Sequence, residues 1–188
     1  MAASSRLLVL GATSLVGRFA LPRLEAAGLA YSAVSRSARA SWIEADIETP
    51  DGRAALPHAE AVLSLSPIWL LPAALEALKA NGLRRLIAFS STSVVTKAQS
   101  TNAAEQAVVA RLQAGEAAVR ASGVAWTILR PTMIYAEGRD GNISRLAGLA
   151  RRFGALPISG RGEGLRQPVH ADDLAVAAIT ALTAPASV

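Results

Sequence analysis

Short apolar runs alternate with amphipathic stretches along most of the chain. The runs are bounded by polar residues or glycine and are too short to form helices, so they predict buried strands. The stretches between them repeat their apolar positions with helical spacing. The predicted strands are Arg6–Leu10, Tyr31–Val34, Trp42–Glu44, Ala61–Leu65, Leu86–Phe89 and Ala125–Leu129. The clearest predicted helices are Leu15–Ala27, Leu70–Ala80, Asn102–Ala121 and Asp172–Leu182.

This alternation predicts the fold class. Apolar strands that are each followed by a helix indicate an α/β protein with a doubly wound parallel sheet, a Rossmann fold of three layers, α/β/α. The pattern loosens after Pro131. At 188 residues, the chain has the length of one well-buried domain, so we predict a single domain over residues 1–188.

Composition narrows the possible chemistry. The chain has no cysteine, which excludes disulfides, thiolate catalysis and cysteine-based zinc sites, and we predict no metal site. The net charge of +5 comes almost wholly from arginine, because Lys79 and Lys97 are the only lysines. The arginines are scattered along the chain, which favours a small phosphorylated ligand over a nucleic-acid partner.

The first residues and the most apolar stretch of the chain indicate where in the cell the protein is expected. The first residues, MAASSR, lack the charged and apolar regions of a signal peptide. The stretch Ala61–Leu78 contains Pro67, Pro72 and Glu76, which argues against a membrane span. We therefore expect a cytoplasmic protein without a membrane partner.

The loop GATSLVG between the first strand and the first helix is the first candidate site. Gly11 allows a tight turn and Gly17 allows the helix to pack closely on the sheet, as a dinucleotide-binding loop requires. Ser14 stands where a middle glycine is expected. Serine is small, and its hydroxyl could cap the helix or bind a phosphate oxygen. A simple strand–helix turn is the alternative.

Arginines follow the second predicted strand, where an NAD site usually has an acidic residue that binds the ribose 2′-hydroxyl. The segment SRSAR supplies Arg36 and Arg39, and Arg18 directly follows the last loop glycine. Guanidinium groups suit a 2′-phosphate, so the sequence favours NADP(H) over NAD(H). Solvated surface arginines are the alternative. Asp46 is a candidate for the adenine edge or a plain turn residue.

Several motifs together resemble the short-chain dehydrogenase/reductase superfamily, in particular its extended and atypical branches, which include the NAD-dependent epimerase/dehydratases. The resembling stretches are LGATSLVG, EADI, FSSTSVV, GVAWTILRPTMIYAEGRDGNIS and QPVHADDLAVAAI. The loop and the resemblance imply a cofactor site formed by Gly11, Thr13, Ser14, Leu15, Val16, Gly17, Arg18, Arg36, Arg39, Asp46, Ile47, Leu65, Ser66, Ser90 and Pro131.

The resemblance also implies catalytic groups, and one of them is missing. Active relatives use a Ser or Thr after the fifth strand, which corresponds to Thr92, and a Tyr-x-x-x-Lys pair on the next helix. Val108 and Leu112 fall at the Tyr and Lys positions and cannot perform those roles. Tyr135 is a candidate to replace the missing acid.

Other replacements for the missing pair come from the same helix or from a different kind of chemistry. Glu105, Gln106 or Arg111 could serve, although a solvated helix face is the simpler interpretation. Hydride transfer can also proceed without a side-chain acid, because the cofactor carries the chemistry.

The resemblance sets further expectations for the C-terminal third. The substrate-binding segment, about residues 132–170, is much reduced, so little chain is available to enclose a nucleotide-sugar. Arg139, Arg145 and Arg166 could meet an anionic substrate or lie in solvent. His170 and Asp173 match a structural turn of the family, and Asp172 is predicted to cap the last helix. By resemblance alone, the helix Asn102–Ala121 could pair with its copy in a homodimer.

Two functions of different classes fit these features. The first is an NADPH-dependent oxidoreductase or epimerase-like enzyme on a small, unidentified substrate, with Thr92 polarising a carbonyl. The second is a non-catalytic sensor or regulatory module that binds NADP(H). The serine-rich strand end favours the enzyme, which we prefer, whereas the missing Tyr and Lys favour the sensor. Nucleotide-sugar epimerisation ranks third.

Overall fold

A computed structural model describes residues 7–136, 138–155 and 167–184. Some predictions fall on other residues. Arg6, at the start of the first predicted strand, Arg166, among the candidate anion-binding arginines, and the end of the chain from residue 185 lie outside the described residues.

Six parallel strands form the central sheet, in the order β3-β2-β1-β4-β5-β6. The strands are β1 (Leu7–Leu10), β2 (Tyr31–Ser35), β3 (Ile43–Glu44), β4 (Ala61–Pro67), β5 (Arg85–Phe89) and β6 (Ala125–Leu129). All of the pairings between them are parallel. The predicted Rossmann fold is confirmed, and the predicted ends of these strands are correct to within two residues.

Helices cover both faces of the sheet. On one face lie α1 (Gly17–Ala26) and α7 (Ala171–Thr183), which pack against each other. On the other face lie a 3₁₀ turn (Ile68–Leu70), α3 (Leu71–Ala80) and α5 (Ala103–Ala121). The three layers that the sequence predicts are therefore present.

Strand β1 shows why the apolar runs are continuous. Its four residues are all buried, and they alternate between two cores. Leu8 and Leu10 face the core beneath α3 and α5, whereas Leu7 and Val9 face the core beneath α1 and α7. A central parallel strand has no solvent face, so both alternating sets of positions must be apolar.

Several short elements are absent from the sequence prediction. These are α2 (Pro50–Ala54), α4 (Ser93–Thr96), α6 (Ile143–Phe153) and the parallel pair β7 (Ile134–Tyr135) and β8 (Val169–His170). Strands β7 and β8 have two residues each and pair across more than thirty residues of chain. Their pairing therefore leaves no local sequence pattern.

The start of α7 corrects one expectation. His170, and not Asp172, is the N-cap residue: its Nδ1 accepts a hydrogen bond from the Asp172 N–H at 3.2 Å. The Asp172 carboxylate instead binds the Arg23 guanidinium of α1, at 2.6 Å from Nε and 2.5 Å from Nη2. This pair ties the two helices on that face together. No helix in the described ranges is long and apolar enough to cross a membrane.

Candidate functional site

The loop between β1 and α1 is closed by two glycines that no other residue can replace without movement. Gly11 has φ +69°, and a Cβ there would lie 2.6 Å from Ser66 Oγ and 2.7 Å from Ser66 N, on the end of β4. A Cβ on Gly17 would overlap the Ala12 carbonyl. The loop is therefore folded tightly over the sheet, as the sequence predicts.

Ser14 fits this loop in place of the expected glycine. Its hydroxyl accepts a hydrogen bond at 3.1 Å from the N–H of Gly17, the first residue of α1. Its own N–H donates to the Gly11 carbonyl at 2.9 Å. The hydroxyl thus binds the first N–H of α1, although the N-cap residue of that helix is Val16.

The loop lies at the carboxyl ends of the strands, where the strand order reverses between β1 and β4. In open parallel sheets this switch point is the usual place for a ligand. Two adjoining pockets open there, of about 440 Å³ and 450 Å³. We call them the first pocket and the second pocket. Both are lined by Ser14, Leu65, Ser66, Pro67 and Trp69.

The first pocket gathers predicted cofactor residues from the ends of several strands. They are Gly11, Thr13, Ser14, Arg36, Asp46, Ile47, Leu65 and Ser66. Arg36 is exposed and lines the pocket, whereas Arg39 does not line it and stacks over the Trp42 ring at 5.0 Å. Asp46 is both a pocket residue and a turn residue, because its Oδ1 accepts a hydrogen bond from the Glu48 N–H at 3.0 Å.

The second pocket gathers four further predicted cofactor residues. Leu15, Val16, Ser90 and Pro131 line it. Val108 and Leu112 line it too, so the positions aligned with the family's Tyr and Lys face the same opening as the serine cluster after β5. The remaining wall includes Phe89 and Ile134. The second pocket is therefore apolar except for hydroxyl groups and the Trp69 indole.

Neither candidate catalytic residue lines the second pocket. The Thr92 hydroxyl donates a hydrogen bond to the Pro131 carbonyl at 3.3 Å, while Ser90 and Ser91 line the pocket instead. Tyr135 lies in β7, with its ring edge-on to the His170 ring at 5.1 Å. Thr92 thus fastens the turn after β5 to the end of β6.

Of the three alternative candidates on α5, two lie away from the pockets and one lines the first pocket. Glu105 binds Lys97 at 2.7 Å and accepts a hydrogen bond from Ser100 at 2.6 Å. Gln106 donates to the Ser100 carbonyl at 2.9 Å, so both residues close the turn before α5. Arg111, in contrast, lines the first pocket.

Trp69 is a site residue that the sequence does not reveal. Its ring lies under the Arg111 guanidinium at 4.4 Å, and it lines both pockets. Gly115 makes this possible, because a Cβ there would lie 2.8 Å from the Ile68 carbonyl oxygen. The 3₁₀ turn therefore docks directly on α5. In the sequence, Trp69 is one apolar residue in a long apolar run.

Glu116 is a second residue that the sequence does not single out. Its side chain is 2% exposed. The carboxylate accepts hydrogen bonds from Arg130 Nε at 2.7 Å and from Arg120 Nη1 at 2.9 Å. These interactions lower the pKa of Glu116 to about 2. The hydrogen bonds from Arg130 contribute most to this decrease, whereas burial acts in the opposite direction and raises the pKa. The spacing of Glu116 and Arg120 is visible on the helix, but the pairing with Arg130 depends on the fold.

A third opening lies beside the loop, with a volume of about 450 Å³. Arg18 and Arg139 line it, together with Thr13 and Leu15. The sequence groups Arg18 with Arg36, but the structure separates them, because Arg18 does not line the first pocket.

Comparison with known proteins agrees with this geometry. The fold and the glycine loop define a dinucleotide-binding Rossmann domain. A sequence family described as NAD(P)H-binding matches residues 11–185, and the chain belongs to that family. Among curated proteins, none matches the sequence significantly.

Solved structures with this fold include proteins of the short-chain dehydrogenase/reductase superfamily. MoeE5 in complex with UDP-glucose and NAD has a TM-score of 0.76 and 21% identity, covering 94% of this chain and 71% of that one. UDP-N-acetylglucosamine 4-epimerase from Bacillus cereus has a TM-score of 0.72 and 18% identity, covering 94% and 71%. A superfamily protein from Agrobacterium tumefaciens with bound NAD has a TM-score of 0.74 and 16% identity, covering 95% and 74%.

Proposed function

We propose that this protein is an oxidoreductase that uses NADP(H) in preference to NAD(H) and acts on a small substrate. The observation that carries the cofactor preference is Arg36, which lines the first pocket immediately after β2. A guanidinium there attracts a 2′-phosphate, whereas the acidic residue typical of NAD sites would repel it. Arg39, stacked on Trp42 nearby in sequence, adds positive charge at the same strand end.

The residues of the two pockets fit a dinucleotide. Gly11 and Gly17 leave no room for a Cβ because the loop packs tightly on Ser66 and Ala12, and Gly11 lines the first pocket, where a dinucleotide would approach the loop. The start of α1 favours the pyrophosphate through its helix dipole. Ile47 and Leu65 offer apolar surface in the first pocket, and Ser90 offers a hydroxyl in the second.

The reaction is limited by what lines the second pocket. When bound, the nicotinamide supplies or accepts a hydride. The chain supplies an apolar wall from Val108 and Leu112, and the Ser90 hydroxyl adds a hydrogen-bonding group. The Ser91 hydroxyl lines the same pocket but already donates to the Ser93 hydroxyl at 3.1 Å. Among the described residues, none that lines the second pocket has an acidic or basic side chain. A reduction in which the cofactor would supply the hydride and water the proton therefore fits better than epimerisation by a protein base.

The second candidate function is an NADP(H) sensor without turnover. It is favoured by the same absence of an ionisable group in the second pocket. Both functions need the same cofactor site, so they are separated only by a measurement of turnover.

Replacing Arg36 with methionine tests the cofactor preference. Loss of a charge-assisted hydrogen bond to phosphate is expected to weaken NADPH binding by about tenfold to a hundredfold and to leave NADH binding unchanged. Arg84→Met is the matched control, because Arg84 is exposed and precedes β5 at the opposite end of the sheet. Equal loss for both cofactors, or the same loss in the control, would contradict the role of Arg36.

Turnover is tested by following NADPH oxidation with a panel of aldehydes, ketones and quinones. We expect a reaction whose kcat/KM is flat between about pH 6 and 9, since none of the described side chains that line the second pocket is acidic or basic. Thr92→Val is expected to retain activity, because the Thr92 hydroxyl binds the Pro131 carbonyl. Cofactor binding without turnover of any compound would favour the sensor, and a bell-shaped profile would point to an acid that the second pocket does not contain.

A further inference from the structure

The third opening brings two arginines to the edge of the candidate site. Arg18 is the second residue of α1, and Arg139 follows β7 on the neighbouring loop. Both are exposed and line the same opening with Thr13 and Leu15. The opening is thus positively charged on two sides, with a hydroxyl and an apolar side chain between them.

Neither guanidinium is neutralised by the described part of the chain, where both lack a side-chain hydrogen bond or ion pair. Other arginines are occupied: Arg23, Arg120 and Arg130 bind carboxylates, and Arg39, Arg111 and Arg152 stack on aromatic rings. Two like charges that share an opening attract an anion more strongly than either charge alone.

The acidic residue next to Arg139 does not offset this charge by an ion pair. The Asp140 carboxylate accepts hydrogen bonds from the Ser144 hydroxyl at 2.6 Å and from the N–H groups of Ser144 and Asn142. These bonds, led by that of the Ser144 hydroxyl, hold the pKa of Asp140 far below its ordinary value. Asp140 therefore organises its own loop, and the Arg139 N–H donates to the Ala136 carbonyl within that loop at 2.8 Å.

The opening adjoins the second pocket and is distinct from the position proposed for the 2′-phosphate. Leu15 lines both this opening and the second pocket, and Thr13 lines both this opening and the first pocket, whereas Arg36 lines only the first pocket of the three. Leu15 is therefore the residue at which the apolar second pocket meets the opening that Arg18 and Arg139 line. Such a molecule would need an apolar body and an anionic group.

We infer that Arg18 and Arg139 form the anion-binding subsite for the second substrate, and that this substrate is an organic acid with an apolar or aromatic body. The inference rests on the proposed function, since the second pocket is where the substrate would meet the nicotinamide. It assigns Arg18 to the substrate and leaves Arg36 to the cofactor.

The test uses the full chain saturated with NADPH and titrated calorimetrically with 2-naphthoate and with its neutral counterpart 2-naphthamide. We expect the carboxylate to bind at least about tenfold more tightly than the amide. Arg18→Met and Arg139→Met should each lower naphthoate affinity about tenfold and leave naphthamide binding and NADPH affinity unchanged. Arg84→Met, which also removes one exposed positive charge, should change none of them.

Three results would overturn the inference. The first is that naphthoate and naphthamide bind the NADPH-loaded protein equally or not at all. The second is that both arginine variants bind naphthoate as the unmodified chain does. The third is that the variants lose NADPH affinity instead, which would assign the arginines to the cofactor pyrophosphate. Failure of the unmodified chain to bind NADPH would instead refute the proposed function, and unfolding curves of each variant confirm that it is folded.

Discussion

Gly11→Ala is expected to abolish dinucleotide binding at ordinary cofactor concentrations, with a loss in NADPH affinity of roughly two orders of magnitude. The added Cβ would lie 2.6 Å from Ser66 Oγ and 2.7 Å from Ser66 N. The second of these atoms belongs to the backbone, so the loop and the end of β4 must separate. Both border the first pocket, and the pocket cannot keep its shape when they move apart.

Gly28→Ala is the matched control for this prediction. Gly28 has φ +67°, almost the same as Gly11, but nothing lies within 4 Å of the added Cβ. Its substitution therefore measures only the cost of a left-handed alanine, about 1–2 kcal/mol in the free energy of unfolding. We expect Gly28→Ala to bind NADPH normally and Gly11→Ala to be less stable than Gly28→Ala. Equal stability and retained NADPH binding in Gly11→Ala would show that the loop is not closed against β4.

The second large effect is expected from Glu116→Gln, which should lower the free energy of unfolding at neutral pH by about 3 kcal/mol. Glu116 is buried, and its carboxylate forms salt bridges with Arg130 and Arg120. Glutamine keeps the shape of the side chain but removes the charge that these guanidiniums bind. Glu76→Gln is the control, because the Glu76 side chain is 87% exposed and, in the described part of the chain, its ion pair is with Lys79. Its removal should cost no more than about 1 kcal/mol.

The pH dependence of stability supplies an independent check on Glu116. The pKa of Glu116 falls from the ordinary 4.5 to about 2 in the folded chain. Because the folded value is the lower one, the stabilisation is complete above pH 4.5 and is lost as the pH falls towards 2. Urea unfolding at a series of pH values should show this loss in the unmodified chain and a smaller one in Glu116→Gln. Identical curves for the two proteins would mean that Glu116 is not held as a carboxylate by its arginines.

The central sheet could be predicted from the sequence because each strand is marked locally. Strand β1 is apolar at every position since both of its faces are buried, and the glycine loop follows it directly. The sequence also places Val108 and Leu112 near the serines after β5. The ends of α5 are clear in the sequence, so the family's Tyr and Lys positions can be aligned with residues 108 and 112 of that helix.

The rest of the site depends on contacts between distant segments. Trp69 meets Arg111 only because Gly115 lets the 3₁₀ turn approach α5. Arg18, at the start of α1, and Arg139, on the loop after β7, line one opening although they lie far apart in the sequence. No local periodicity records such contacts, since each residue taken alone has the sequence surroundings of an ordinary surface or core residue.

Thr92 shows why a motif alone does not place a side chain within a turn. The sequence FSSTSVV supplies four hydroxyls, and the resemblance selects Thr92 among them. In the structure the chain turns immediately after β5, so that Ser90 and Ser91 line the second pocket while Thr92 turns towards Pro131. A shift of one or two residues in a turn redirects a side chain completely, and the sequence does not fix the turn at that precision.

The central claim is that the first pocket binds a dinucleotide and selects the one with a 2′-phosphate. The most direct test is calorimetric titration of the unmodified protein with NADPH and with NADH under the same conditions and at two salt concentrations. The account predicts that NADPH binds at least about tenfold more tightly and that the difference narrows as salt screens Arg36. Equal affinities for the two cofactors, or tighter binding of NADH, would contradict it.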